Sequence, residues 1–358
     1  MVALPVLDFK VKSIVHDYEV NFINDSPVIL KKEIRDGDVV IIDEKIKEIY
    51  SSITAAIPET NFLIDIVAHE KQKSYEGLIP IINKLISSGF RKNHRLIGIG
   101  GGITQDITAF IASIMYRGVE WIFFPTTLLA QGDSCIGSKT SINFGAYKNQ
   151  VGGFYPPNRI YIDLNFLDTL SSADLQSGLG EMSHYFVVSS EEDFKKYKQN
   201  YTPALSNKTV LANMISKSLE IKKSYIEIDE FDQNERQVFN YGHSFGHAIE
   251  SLTNYTIPHG IAVSFGMDMA NYISVKMELL KPEIRNEIRE LLEKIWEGYN
   301  IKNIDIEKFC NVLAKDKKNV GKELRLILCK GYGQVFKAPV KNYLKLKNWI
   351  SEYFQNEI

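Results

Sequence analysis

The sequence predicts an α/β domain built on a parallel, Rossmann-like sheet, followed by a mainly α-helical domain. Three observations carry that reading. Short apolar runs alternate with helical patterns through the first half of the chain, a helix start at Ser171 turns the pattern over to helices, and no internal repeat or low-complexity segment interrupts either part. At 358 residues the chain is long enough to bury two cores.

Residues 38–44 (DVVIIDE), 61–67 (NFLIDIV), 95–100 (RLIGIG) and 120–125 (EWIFFP) read as strands, being short apolar runs rich in β-branched and aromatic residues. Between them, 73–90 and 105–116 place apolar residues at helical spacing, and that alternation implies a parallel sheet with helices on its faces. After the Pro156-Pro157 turn, 159–164 (RIYIDL) reads as a last strand. Ser171, with Asp174 three residues on, has the signature of a helix N-terminus. The domain boundary is therefore expected near residue 168, with residues 1–168 the α/β domain and 169–358 the helical one.

Composition excludes several classes. The chain is 44% hydrophobic and 24% charged with a net charge of −2, so no basic field favours nucleic acid. Cys135, Cys310 and Cys329 form no CxxC pair, which argues against a disulfide framework or a cysteine zinc site and for a reducing compartment. The N-terminal stretch meets charge within ten residues and reads as neither a signal peptide nor a membrane span, so a cytoplasmic protein is expected.

Gly100-Gly101-Gly102 joins a strand to the 105–116 helix, where backbone can approach a pyrophosphate and a helix N-terminus supplies amides. The run matches neither GxGxxG nor a P-loop, and a plain tight turn explains it equally well on these grounds. Asp43, at an earlier strand end, is placed to accept a ribose hydroxyl.

Any one of the histidines, taken alone, reads as a hydrogen-bonded core residue. Yet four of the seven, His184, His243, His247 and His259, fall in short glycine-flanked segments that also carry Glu181. Histidines with a carboxylate are what a catalytic zinc needs, and spacing alone nominates His243 and His247, one helical turn apart. Arg117, Lys139, Lys148, Lys222, Arg236 and the pair Lys317-Lys318 lie in short polar motifs suited to a phosphate and a carboxylate.

Several stretches resemble the 3-dehydroquinate synthase (sugar-phosphate cyclase) family: GGGITQDITAFIASIMYRG, PTTLLAQGDSCIGSKTSINFGAYKNQVGGFYPPNRIYID, GLGEMSHYF, NERQVFNYGHSFGHAIE, PHGIAVSFGM and KDKKNVGKELRLIL. The resemblance runs from about Glu70 to Leu328, in the family's order. It implies a dehydroquinate synthase-like fold and a Zn²⁺, with Co²⁺ as a substitute, held by Glu181, His243 and His259; His247 then contacts substrate. It implies NAD on Gly101 and Gly102, surrounded by Asp43, Glu70, Lys73, Asp106, Thr126, Thr127, Lys148 and Thr169. It implies substrate phosphate on Lys139, Asn149, His247 and Lys318, with Arg117 reaching across a homodimer. Arg236 and Lys222 would meet the substrate carboxylate and nearby oxygens, with Asp133 and Asn240 lining the same pocket.

The implied reaction converts 3-deoxy-arabino-heptulosonate 7-phosphate into 3-dehydroquinate and phosphate, through transient oxidation by NAD, elimination, re-reduction and an intramolecular aldol. The nearest alternative is a cyclase acting on sedoheptulose 7-phosphate or glucose 6-phosphate. A metal-dependent NAD alcohol dehydrogenase and a catalytically silent binding protein stand behind it. Where the family carries the lysine of an ExxK motif this chain has His184, which leaves three roles open: a substitute donor to substrate, a metal ligand, or a partner for a different substrate. His69, Gln105 and Ser138 stand where family glycines are usual.

Overall fold

Runs such as Val39–Asp43 and Trp121–Pro125 are apolar at nearly every position, and such runs are stable as strands covered on both faces. The structure, a computed structural model describing residues 7–145, 147–314, 324–340 and 342–358, places them as interior strands of a seven-stranded sheet. The chain forms two units: Met1–Leu170 with Lys222–Phe231, and Ser171–Ile221 with Asp232–Ile358.

The first unit contains β1 (Phe9–Val11), β2 (Tyr18–Ile23), α1 (Ser26–Glu33), β3 (Val39–Asp43), α2 (Glu44–Ile49), α3 (Ser51–Ala55) and β4 (Phe62–Ile66). It continues through α4 (Tyr75–Ser87), β5 (Leu96–Gly100), α5 (Gly102–Ile114), β6 (Trp121–Pro125), the hairpin β7 (Lys139–Phe144) and β8 (Tyr147–Phe154), and β9 (Arg159–Asp163). Sheet order is β1-β2-β9-β6-β5-β3-β4, and every pairing but β1 with β2 is parallel. The chain leaves β3 outward to β4, then returns to β5 on the other side of β3. That reversal makes the carboxyl ends of β3 and β5 a topological switch point, where ligands of such sheets bind. The core beside it contains Val40, Ile42, Ile97, Ile99, Ile122 and Phe124.

The five strands expected from sequence are β3, β4, β5, β6 and β9, each within one residue of its expected limits. The helices expected over 73–90 and 105–116 are α4 and α5.

The second unit comprises α6 (Ser172–Ser189), α7 (Glu191–Ala204), α8 (Lys208–Ile226, whose residues from Lys222 group with the first unit), α9 (His243–Leu252) and α10 (His259–Lys276). α11 (Pro282–Ile295), α12 (Ile306–Ala314), the hairpin β10 (Arg325–Cys329) and β11 (Val335–Pro339), and α13 (Tyr343–Asn356) complete it. Gly260 to Ser274 of α10 are buried without a break, as expected of a helix enclosed by others. The β10–β11 hairpin is a strand pair within a part that is otherwise helical, as the mainly helical expectation allows. No helix of the described residues is long and apolar enough to cross a membrane.

Candidate metal centre and active site

The metal-ligand candidates meet because of glycine. At the crossing of α6 and α10, a Cβ on Gly260 would lie 1.8 Å from the Ser177 carbonyl oxygen, and one on Gly180 would lie 2.4 Å from the Gly260 oxygen. The two backbones therefore touch, and the Gly260 amide donates to Ser177 Oγ at 3.0 Å. Glu181 and His259, the next residue and the preceding one, are carried into contact. His243 opens α9 behind Gly242, whose φ of +81° is left-handed and suits glycine.

Around the Glu181 carboxylate the distances are short. His243 Nε2 lies 3.2 Å and His184 Nε2 3.4 Å from Oε1, and His259 Nε2 lies 3.3 Å from Oε2. His243 Nδ1 donates to the Tyr241 carbonyl at 3.2 Å, and His259 Nδ1 donates to Glu250 Oε2 at 3.0 Å. With each Nδ1 held by an acceptor, each Nε2 faces a Glu181 oxygen, a gap that a proton bridges in the absence of metal and that a divalent cation fits when bound. Donors sharing one tetrahedral zinc at roughly 2.0–2.1 Å sit roughly 3.3 Å apart. The residues present fit a divalent metal. Fit is further indicated by Glu181 Oε2, which is buried with no hydrogen-bond partner among the described residues.

Burial by itself pushes the Glu181 carboxyl up, but the His243 and His259 imidazoles outweigh it and hold it well below the usual range. Burial lowers His243, with Glu181 acting the other way. His259 is raised well above its ordinary value, because Glu250 and Glu181 together overcome desolvation. His247, which spacing alone nominated beside His243, groups instead with Glu250 and His259, and its ring lies 5.6 Å from that of His243. Neither Glu250 nor the Tyr241 carbonyl was singled out from sequence. A carboxylate on the same helix as His243 was the available signal for Glu250.

In the first unit, Asp43 ends β3 and caps α2, accepting from the Lys45 amide at 3.0 Å; burial raises its carboxyl. Across the strand pair, Gly101 is the N-cap of α5, which has no side-chain cap, and a Cβ there would press on Thr127 Cγ2 at 2.9 Å. Thr126 is buried beside this turn. Thr169 pairs with the Tyr50 hydroxyl at 2.9 Å.

A second cluster surrounds Lys73. Its ammonium meets Asp106 at 2.5 Å and donates to Asn149 Oδ1 at 2.6 Å. Burial raises the Asp106 carboxyl, and Lys73 opposes that. Asn143, not nominated from sequence, donates to Glu70 Oε1 at 2.8 Å and accepts from the Asn149 amide at 2.9 Å; Lys148 lies 3.9 Å from Glu70. Asn149, nominated as a phosphate contact, thus sits with residues nominated for the cofactor. Lys222 is buried and donates to both the carbonyl and the carboxylate of Asp133 at 2.7 Å.

Lys139 is exposed at the start of β7 and Arg117 is exposed just after α5. In the second unit Arg236 is buried in the 3-10 turn before α9, and Asn240 at the end of that turn donates to the Gln237 carbonyl at 3.1 Å. Lys317 and Lys318 lie outside the described residues.

A family model for the N-terminal part of 3-dehydroquinate synthase matches residues 63–177, and one for its C-terminal part matches residues 178–319. The chain belongs to the 3-dehydroquinate synthase family. A 3-dehydroquinate synthase of Dictyoglomus turgidum is 39% identical over 293 residues, covering 81% of either chain. A 2-deoxy-scyllo-inosose synthase, solved with carbaglucose-6-phosphate, NAD+ and Co2+, superposes with a TM-score of 0.86 at 22% identity, over 96% of this chain and 99% of that one. The 2-epi-5-epi-valiolone synthase of Streptomyces hygroscopicus subsp. jinggangensis 5008, with NAD+ and Zn2+ bound, gives a TM-score of 0.86 at 20% identity, over 95% and 97%. Both likenesses concern the fold.

Within this 3-dehydroquinate synthase family member, the departures from family glycines are each accommodated. Gln105 turns its carboxamide onto Ser134, donating to the Ser134 carbonyl at 2.5 Å and accepting from its hydroxyl at 2.6 Å. Ser138 holds a left-handed φ of +65° and donates to Glu230 at 2.6 Å. His69 caps the short 3-10 turn Glu70–Gln72, its Nδ1 accepting from the Lys71 amide at 3.1 Å.

Proposed function

We propose that this protein is a cytoplasmic, homodimeric 3-dehydroquinate synthase, a phosphate-eliminating carbon–oxygen lyase acting on 3-deoxy-arabino-heptulosonate 7-phosphate. The observation that carries the reading is the convergence of His243 and His259, each with its other nitrogen already held, on the buried Glu181 carboxylate. A divalent zinc or cobalt on Glu181, His243 and His259 would supply a Lewis acid for a substrate oxygen. NAD on the Gly101-Gly102 turn, with Asp43 one strand away, would supply a hydride acceptor that is restored within the same turnover.

The chain's own residues bind, orient and neutralise. Glu250 and the Tyr241 carbonyl hold the Nδ1 protons of His259 and His243, which turns both Nε2 atoms toward Glu181 as metal donors. Asp133 holds the Lys222 ammonium in place before substrate arrives, which lowers the ordering cost of binding an anionic oxygen. Lys73, clamped between Asp106 and Asn149, stiffens the β7–β8 hairpin at its contact with α5. Lys139, Asn149, His247 and Lys318 are assigned to the phosphate, whose departure neighbouring cations and N–H donors favour. Arg236 and Asn240 are assigned to the carboxylate end, and Arg117 to the neighbouring subunit's site.

Phosphate release measured with NAD, Zn²⁺ or Co²⁺ and each candidate sugar phosphate tests the assignment. Release from 3-deoxy-arabino-heptulosonate 7-phosphate with no net NADH is the expected result. Release confined to sedoheptulose 7-phosphate or glucose 6-phosphate would overturn it in favour of another cyclase. Stoichiometric NADH would point to a dehydrogenase.

A further inference from the structure

His184 has a placement that the substrate contacts do not explain. It stands three residues after Glu181 on α6, so both side chains share one helical face. The ring is 1% exposed, packed on Tyr185 with centroids 4.0 Å apart and on Phe239 at 5.8 Å. Both ring nitrogens are buried and have no hydrogen-bond partner among the described residues. A neutral imidazole always carries one N–H, and leaving both its polar atoms buried and unmet is costly. Nε2 approaches Glu181 Oε1 at 3.4 Å without hydrogen-bond alignment, on the oxygen that His243 Nε2 already approaches at 3.2 Å. The donor atoms of Glu181, His184 and His243 lie within 4.8 Å of one another. A carboxylate and an imidazole at i and i+3 of one helix form a recurrent metal-binding pair.

We propose that His184 is a further protein ligand of the metal, so that in the resting enzyme the cation is held by Glu181, His184, His243 and His259. The inference rests on the metal-centre reading above and adds a ligand to it. Three imidazoles and one carboxylate close the tetrahedral position that a catalytic zinc leaves open. A bound metal would then offer its Lewis acidity to substrate from a fuller protein ligand set, and Tyr185 and Phe239, packed on the His184 ring, restrict its movement.

X-ray absorption on the zinc-loaded wild-type protein tests this directly, by counting imidazoles in the first shell. Three are expected, falling to two in His184→Gln. In chelator competition with Zn²⁺ alone, His184→Gln should weaken binding beyond the roughly 10–100-fold typical of losing a residue that only orients a ligand. The visible spectrum of the Co²⁺-loaded protein should change in intensity between wild type and His184→Lys. Two imidazoles in the wild type, with stoichiometric zinc, overturn the proposal and leave the metal centre standing. No stoichiometric metal in the wild type overturns both.

Discussion

Replacing Gly260 by alanine should separate two readings of the helical unit: that the α6–α10 contact sets the metal centre, or merely fills the core. The added Cβ would sit 1.8 Å from the Ser177 oxygen and 2.7 Å from the Glu181 amide nitrogen, where real contacts do not fall below 3.0 Å. Both obstacles are backbone, so no rotamer relieves them, and the helices must part by about 1.2 Å at this point. Overpacking of that kind costs ~3 kcal/mol, the upper end of the usual range. In a domain of this size that lowers Tm by roughly 6–12 °C. The same parting stretches the 3.3 Å approach of His259 to Glu181, so zinc affinity should fall even at temperatures where the variant is folded. Thermal melts and chelator competition on the Gly260→Ala protein measure the two effects. A variant with wild-type Tm and wild-type zinc affinity would refute the close-crossing argument.

Three other outcomes are expected. Glu250→Gln removes the carboxylate that orients His259, and zinc affinity should drop roughly 10–100-fold in chelator titration; an unchanged value would mean the 3.0 Å contact does not orient the ring. Burial pushes the Cys135 thiol up to about 12 and Cys329 up to about 11, so at pH 8 their thiolate fractions are on the order of one in a thousand or less. Iodoacetamide at pH 8, read by mass spectrometry, should leave both unlabelled in the native protein and label them after denaturation; rapid native labelling would contradict their burial. Ser138→Ala keeps the left-handed strain and loses the bond to Glu230, and should cost about 1–3 kcal/mol in urea unfolding. Ser138→Gly, which loses the bond but relieves the strain, should cost less, and the reverse order would refute this account.

Much of the sheet was legible because β3, β4, β5, β6 and β9 are short apolar runs punctuated by turns. The β7–β8 hairpin was not. KTSINF and YKNQVGGF mix glycine, lysine and asparagine with few apolar residues and leave most of β8 exposed, so no alternation marks them. What holds them is polar, as in the bonds of Asn143 and Asn149 to Glu70 and Lys73. The metal centre divides in the same way. Helical spacing found His243, but it also nominated His247, because periodicity along one helix carries no information about which other helix crosses it. His259 enters from the start of α10, and its proximity to Glu181 depends on a backbone contact between Gly180 and Gly260. Glycines immediately flanking Glu181 and His259 were the trace of that contact in the sequence. Glu250 was visible as a residue, yet its role appears only once α9 and α10 are folded against each other.

The close seating of α6 against α10 has a consequence for how the protein handles its ion. Glu181, His243 and His259 are positioned by helices that are joined through backbone contact and the Gly260–Ser177 bond, neither of which uses a cation. Helices joined in this way do not need an ion as a staple. Stripping the metal should therefore silence the enzyme reversibly while its circular dichroism stays the same, and re-adding zinc should restore turnover without a refolding lag.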